Sequence, residues 1–163
     1  MTVAEEWVTA PDSVSAMRSI AEIRTVLDRA RDCLASLVDT RQNRPDVDVS
    51  DQIVERYEAA IQTLAWLAGE PVPSPVLGLT KSVTGPWHLG GSESPDYGDV
   101  DTEHLAVMGE LFPRRNAGNA RFIPIRPPVE FGRSGRTKTW LHSIELVLDW
   151  VRRRDDRNPL AAL

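Results

Sequence analysis

The amino-acid sequence predicts a mainly α fold, a small helical bundle built on an antiparallel helical hairpin, and three observations carry that expectation. Residues 13–40 and 50–69 repeat apolar side chains at spacings of three and four, the period of a helix with one buried face. Between them, residues 41–49 hold Asn43, Pro45 and two aspartates, a break of the kind that reverses a chain. Residues 137–154 place apolar side chains around more than half of a helical circumference, the pattern of a helix packed on several sides.

The first helix follows Pro11, with Asp12 or Ser13 as its expected N-cap, and residues 1–12 are expected to be flexible. Its seam is Ile20, Ile23, Leu27, Ala30, Leu34 and Leu37. Ser50 is the expected N-cap of the second helix, and Asp51 lies at the positive end of its dipole. Ile53, Tyr57, Ala60, Leu64 and Leu67 repeat the seam before Gly69 and Pro71 end it. Two matched seams on a short linker pair antiparallel. Ala59 and Trp66 point away from that seam, so the second helix needs another apolar neighbour, either elsewhere in the chain or on a partner.

Residues 71–100 contain five prolines and five glycines and no period, which reads as a long irregular loop. It is expected to wrap the bundle through Val76, Leu77, Leu79, Trp87 and Leu89. Asp101 or Thr102 then caps a short helix carrying Leu105, Val107, Met108, Leu111 and Phe112, which Pro113 stops. Three prolines limit residues 120–131 to an edge strand or a polyproline-like path, at most a minor β element. The last helix, about 137–154, is expected to be the most buried, with Leu141, Ile144, Val147, Leu148, Val151, Trp140, Trp150 and Leu146 leaving a narrow strip of His142, Glu145 and Asp149. Arg152 to Arg154 suit its carboxyl end, and residues 155–163 are expected to fray.

A chain of 163 residues can bury one core, so a single domain over 1–163 is expected. Cys33 is the one cysteine, which excludes an internal disulfide or a thiolate zinc cage and fits a reducing compartment. The first residues are acidic where a secretory signal would be basic, and no apolar run reaches the roughly 18 residues of a membrane span. A cytoplasmic location without a membrane partner is expected.

The net charge of −5 is unevenly placed: residues 1–70 carry −6, residues 71–113 carry −5, residues 114–138 carry +6, and the rest is neutral. The basic stretch holds Arg114, Arg115, Arg121, Arg126, Arg133, Arg136 and Lys138, interleaved with Phe122, Phe131 and Trp140. Guanidinium groups bind phosphates and aromatic rings stack bases, so these residues with Ser134 and Gly135 are the candidates for an anion, nucleotide or nucleic-acid site. The low pI of about 5.2 argues against heavy reliance on phosphate neutralisation, and pairing with acidic protein surface uses the same residues. The stretch from Gly132 to Thr139 resembles a Walker A loop with Thr137 in place of the final glycine. A nucleoside triphosphatase needs a parallel sheet and a distant acidic magnesium ligand, so that family is excluded and only the affinity of exposed amides and cations for an anion is kept.

Asp99, Asp101, Glu103 and Glu110 fall at four ligand positions of a calcium loop, but His104 stands where glycine is required, and acidic capping of a short helix explains them better. His88, His104 and His142 have no partner at the spacing of two ligands on one helix face. No catalytic set, metal set or cofactor is therefore expected. The leading expectation is a non-enzymatic helical binding or regulatory protein acting through protein–protein contacts, as a homo-oligomer or with a protein partner, Trp66 and Trp87 being the contact candidates. Small arginine-rich proteins of this kind fit the class of bacterial and phage accessory modulators. The alternative is a phosphate-ligand binder, for nucleotide or nucleic acid, acting through 114–138. A second alternative is a small hydrolase using His88, His104 and the acidic loop.

Overall fold

The computed structural model describes residues 17–78, 94–112, 137–154 and 156–163. Their regular structure is helical: α1 (Ile20–Asn43), α2 (Asp51–Leu67), α3 (Tyr97–Leu111), α4 (Lys138–Val151) and a short 3-10 helix (Pro159–Ala162). No strand occurs among the described residues, and the expected extended stretch at 120–131 lies outside them. No described helix is long and apolar enough to cross a membrane.

Each helix starts where a side chain satisfies its first amides. Met17 to Ser19 are not helical, and α1 begins at Ile20 rather than near 13. Ser19 Oγ accepts the Glu22 N–H at 3.2 Å while Glu22 Oε2 accepts the Ser19 N–H at 2.9 Å. This reciprocal box is open to Ser19 and closed to Ser13, whose third following residue is Ala16. Ser50 caps α2 as the sequence predicts, accepting the Ile53 N–H at 3.3 Å. α3 starts four residues before Asp101, because Asp96 and Asp99 form a second box at 2.9 and 3.0 Å. The acidic capping expected of Asp99 is thus present.

Two of the helices end alike. After α2, Gly69 takes a left-handed φ of 83° and its N–H reaches the Trp66 carbonyl at 3.1 Å, while the Glu70 N–H reaches Ala65 at 3.0 Å. After α4, Arg153 takes φ 57°, with Arg153 N–H on Trp150 at 3.0 Å and Arg154 N–H on Asp149 at 2.9 Å. Both are Schellman closures that satisfy the last carbonyls, one built on glycine and one on arginine.

α2 packs against α1 on one side and α4 on another, and α4 also packs against α3 and the 3-10 helix. The core follows from that order: Ile23, Leu27 and Ala30 of α1, Ala60 and Leu64 of α2, Val100 and Val107 of α3, and Leu141, Ile144, Val147, Leu148 and Val151 of α4. Half of the fourteen residues of α4 are buried, so it is the central helix its apolar circumference predicts. Ala59 and Trp66 lie in this same core, and the second neighbour that α2 requires is α4. Ahead of α1, Arg18 closes the bundle. Its backbone N–H donates to Val151 and its Nε to the Trp150 carbonyl, both at 2.9 Å, with the guanidinium 4.8 Å from the Trp150 ring centre.

The tail is a correction to the sequence expectation. Rather than fraying, Asn158 caps the 3-10 helix, Pro159 is buried, Leu160 and Leu163 pack on the core, and Arg56 Nη1 donates to the Leu163 carbonyl at 3.3 Å. Apolar burial of Pro159, Leu160 and Leu163, together with the Asn158 cap, fastens the segment to the core. The irregular path after α2 is anchored as well: Ser74, Pro75 and Val76 are buried, and the fully buried Glu103 accepts the N–H groups of Val76 and Leu77.

Candidate functional site

Two places could carry function. The first is a polar cluster at the α3–α4 interface. The narrow strip of α4, Glu145 and Asp149, stands one turn apart on one face, and α3 sets His104 against it. His104 Nε2 lies 3.4 Å from Asp149 Oδ1, and ligand-type atoms of His104, Glu145 and Asp149 all fall within 4.8 Å of one another. His104 is held below its ordinary pKa, by burial first and by the Arg152 guanidinium second, while Asp149 pulls the other way. Its neutral form is thereby favoured, and a neutral imidazole has a ring nitrogen able to act as donor or ligand.

Arg152 supports the cluster from beneath. Its side chain is fully buried, and Nη1 donates to Asp101 of α3 at 2.7 Å while Nη2 reaches Asp149 at a longer 3.4 Å. Arg152 Nε and Trp140 Nε1 are buried without an acceptor among the described residues. The sequence reading of Arg152 as a cation suited to the helix end is thus too weak, since it bridges two helices. On the solvent side, His142 Nδ1 lies 3.2 Å from Glu145 Oε2.

The second place is the outer half of the hairpin. No residue from Arg31 to Glu58 is buried, although Leu34, Leu37, Ile53 and Tyr57 belong to the predicted seams. At about 1.5 Å per residue, α1 runs roughly 20 Å past its last buried residue, Ala30. A shallow groove there is lined by Leu34, Ala35, Val38, Gln42 and Ile61, with Arg31 and Asp39 on its rim. Arg41 ties off the far end, donating to the Val49 carbonyl at 2.8 Å and to Asp51 at 2.7 Å. Within the hairpin, Tyr57 has its hydroxyl pushed above its ordinary pKa, by burial first and by the neighbouring Cys33.

Of the residues singled out from the sequence, Arg114, Arg115, Arg121, Arg126, Arg133, Ser134, Gly135 and Arg136 lie outside the described residues, as do Trp87 and His88. Lys138 is exposed in the first turn of α4, and Trp66 is in the core. His104 is brought to Asp149 and Glu145, which the sequence reading places on a different element and does not connect to it. The one signal for this cluster was the polar strip on an otherwise apolar helix. Comparison with known proteins adds no relative: no protein-family model, no curated protein and no solved structure matches this chain.

Proposed function

We propose that this chain is a non-enzymatic helical binding protein that acts through protein–protein contacts, and that its first partner is a second copy of itself. The observation that carries this reading is the outer half of α1, over which no third helix packs among the described residues. Val38 is 39% exposed, and Leu34 and Ile61 are only partly covered beside it. A two-helix pair leaves one side of each seam open, and a second pair closes it as a four-helix arrangement.

The groove is self-complementary about Ala35. Arg31 and Asp39 stand four residues before and four after it, so an antiparallel two-fold crossing at Ala35 sets Arg31 of each copy near the partner's Asp39. Ala35 is small enough to let the two backbones approach, and Leu34 and Val38 fall on either side of the crossing. Arg31 is already held by Glu70 at 2.7 Å, which fixes its guanidinium on the rim. Light scattering on the purified chain at tens of micromolar tests this reading. It predicts a mass near twice 18.1 kDa, and Val38→Asp, which alters an exposed side chain, should give a folded monomer. A wild-type chain that stays monomeric removes the proposal.

A further inference from the structure

We propose that His104, Glu145 and Asp149 form a binding site for a divalent transition-metal ion of the zinc class, clamping α3 to α4. Four observations converge on it. First, one imidazole and two carboxylates come from two helices packed through a shared core, and their ligand atoms lie within 4.8 Å of one another. Zinc holds nitrogen and oxygen ligands at about 2.0–2.2 Å. The site closes on an ion by rotamer adjustments of about an ångström, with no movement of the helices.

Second, charge favours a dication. Asp101, Glu145 and Asp149 are three carboxylates around His104, against the two guanidinium groups of Arg152 and Arg154, so acidic groups outnumber basic ones there. Third, Asp149 is not committed. Charge-assisted hydrogen bonds are about 2.7–2.9 Å long, as Arg152 to Asp101 is, whereas Arg152 to Asp149 is 3.4 Å. Arg152 orients that carboxylate and leaves its lone pairs to a stronger acceptor of electron density. Fourth, the site is reachable, because the side chain of His104 is 12% exposed, Glu145 25% and Asp149 31%. An ion held there meets three protein ligands and water.

The ligand set also selects the ion. An imidazole favours zinc and its transition-metal neighbours, whereas calcium and magnesium prefer oxygen-only shells. Glu145 and Asp149 are separated by one helical turn, so a single ion can take both, and His104 then makes its binding depend on α3 being docked.

Zinc titration of the chelator-treated full chain by calorimetry tests this, with circular dichroism confirming that each variant folds. Wild type should bind one zinc per chain, and zinc should raise its melting temperature. His104→Ala and Glu145→Gln should each weaken binding by more than about tenfold, the scale on which even outer partners of metal ligands act. Glu145→Gln keeps the shape of a partly exposed side chain, so it reports on the site if His104→Ala fails to fold. His142→Ala removes an exposed partner of Glu145 but no ligand, and should weaken binding less than His104→Ala does. Absence of one-to-one binding overturns the proposal. So does loss on His142→Ala with none on His104→Ala, which would assign the zinc to the exposed His142–Glu145 pair, and so does equal competition by magnesium.

Discussion

Removing the Glu103 carboxylate strips two backbone donors of their acceptor, the buried Val76 N–H and the partly buried Leu77 N–H. Each unsatisfied buried amide costs about 1–3 kcal/mol, so Glu103→Ala should lower the unfolding free energy by about 2–4 kcal/mol in urea. Glu103→Gln retains one acceptor oxygen and should lose less than half of that. The two Schellman closures make an opposite pair. Gly69 adopts φ 83° without a side chain to oppose it, and Gly69→Ala should cost about 1 kcal/mol. Arg153 adopts φ 57° against that same penalty, and Arg153→Gly should raise stability by about 0.5–1 kcal/mol in the same denaturation experiment. Gly69 is legible in the sequence because glycine announces the left-handed position. Arg153 is not, since three consecutive arginines read as a charge run. Glu103 is likewise hidden: a carboxylate on a helix looks solvated until the chain at 74–77 is laid over it.

At the scale of elements, periodicity carried most of the reading. The inner parts of the α1 and α2 seams, the Ser50 cap, and the apolar circumference of α4 correspond to observed features, because spacing of three and four is set by helix geometry and needs no tertiary knowledge. The starts of α1 and α3 were displaced for one reason: several residues can cap, and only the one with a reciprocal partner three positions on takes the role. Contacts between elements yield two tests. Arg152→Met removes a guanidinium that joins Asp101 of α3 to Asp149 of α4, and should destabilise by about 1–3 kcal/mol, less than the 3–5 of a wholly buried pair because both carboxylates keep some water. Arg31 joins α1 to the end of α2 through Glu70, and its two hydrogen bonds, at 2.7 and 3.1 Å, hold the Glu70 carboxyl below its ordinary value of 4.5. A depressed folded-state value means the contribution is full above pH 4.5 and is lost as pH falls through that lower value. Both groups are exposed, so the stability gap between wild type and Glu70→Gln should be about 0.5 kcal/mol at pH 7 and should close in acid.

Over the whole molecule, the order α1–α2–α4–α3 brings together residues that no spacing connects. His104 and Asp149 are separated by more than forty positions, so the α3–α4 cluster could not be read from the sequence; only its polar strip could. The hairpin was legible, but not which part of it would be covered. Its inner half and the start of α2 meet α4 and the tail, whereas α1 beyond Ala30 carries the same seam without a third layer among the described residues. That asymmetry is why the proposed contact surface sits on Leu34, Ala35 and Val38 rather than on Trp66, which the core occupies. The most direct test is the solution mass of the full chain across a concentration series, measured for wild type and Val38→Asp. The account predicts a wild-type mass that tends to twice 18.1 kDa and a Val38→Asp chain that stays at 18.1 kDa with unchanged helicity. A wild-type monomer throughout, or a Val38→Asp chain that associates as wild type does, would contradict it.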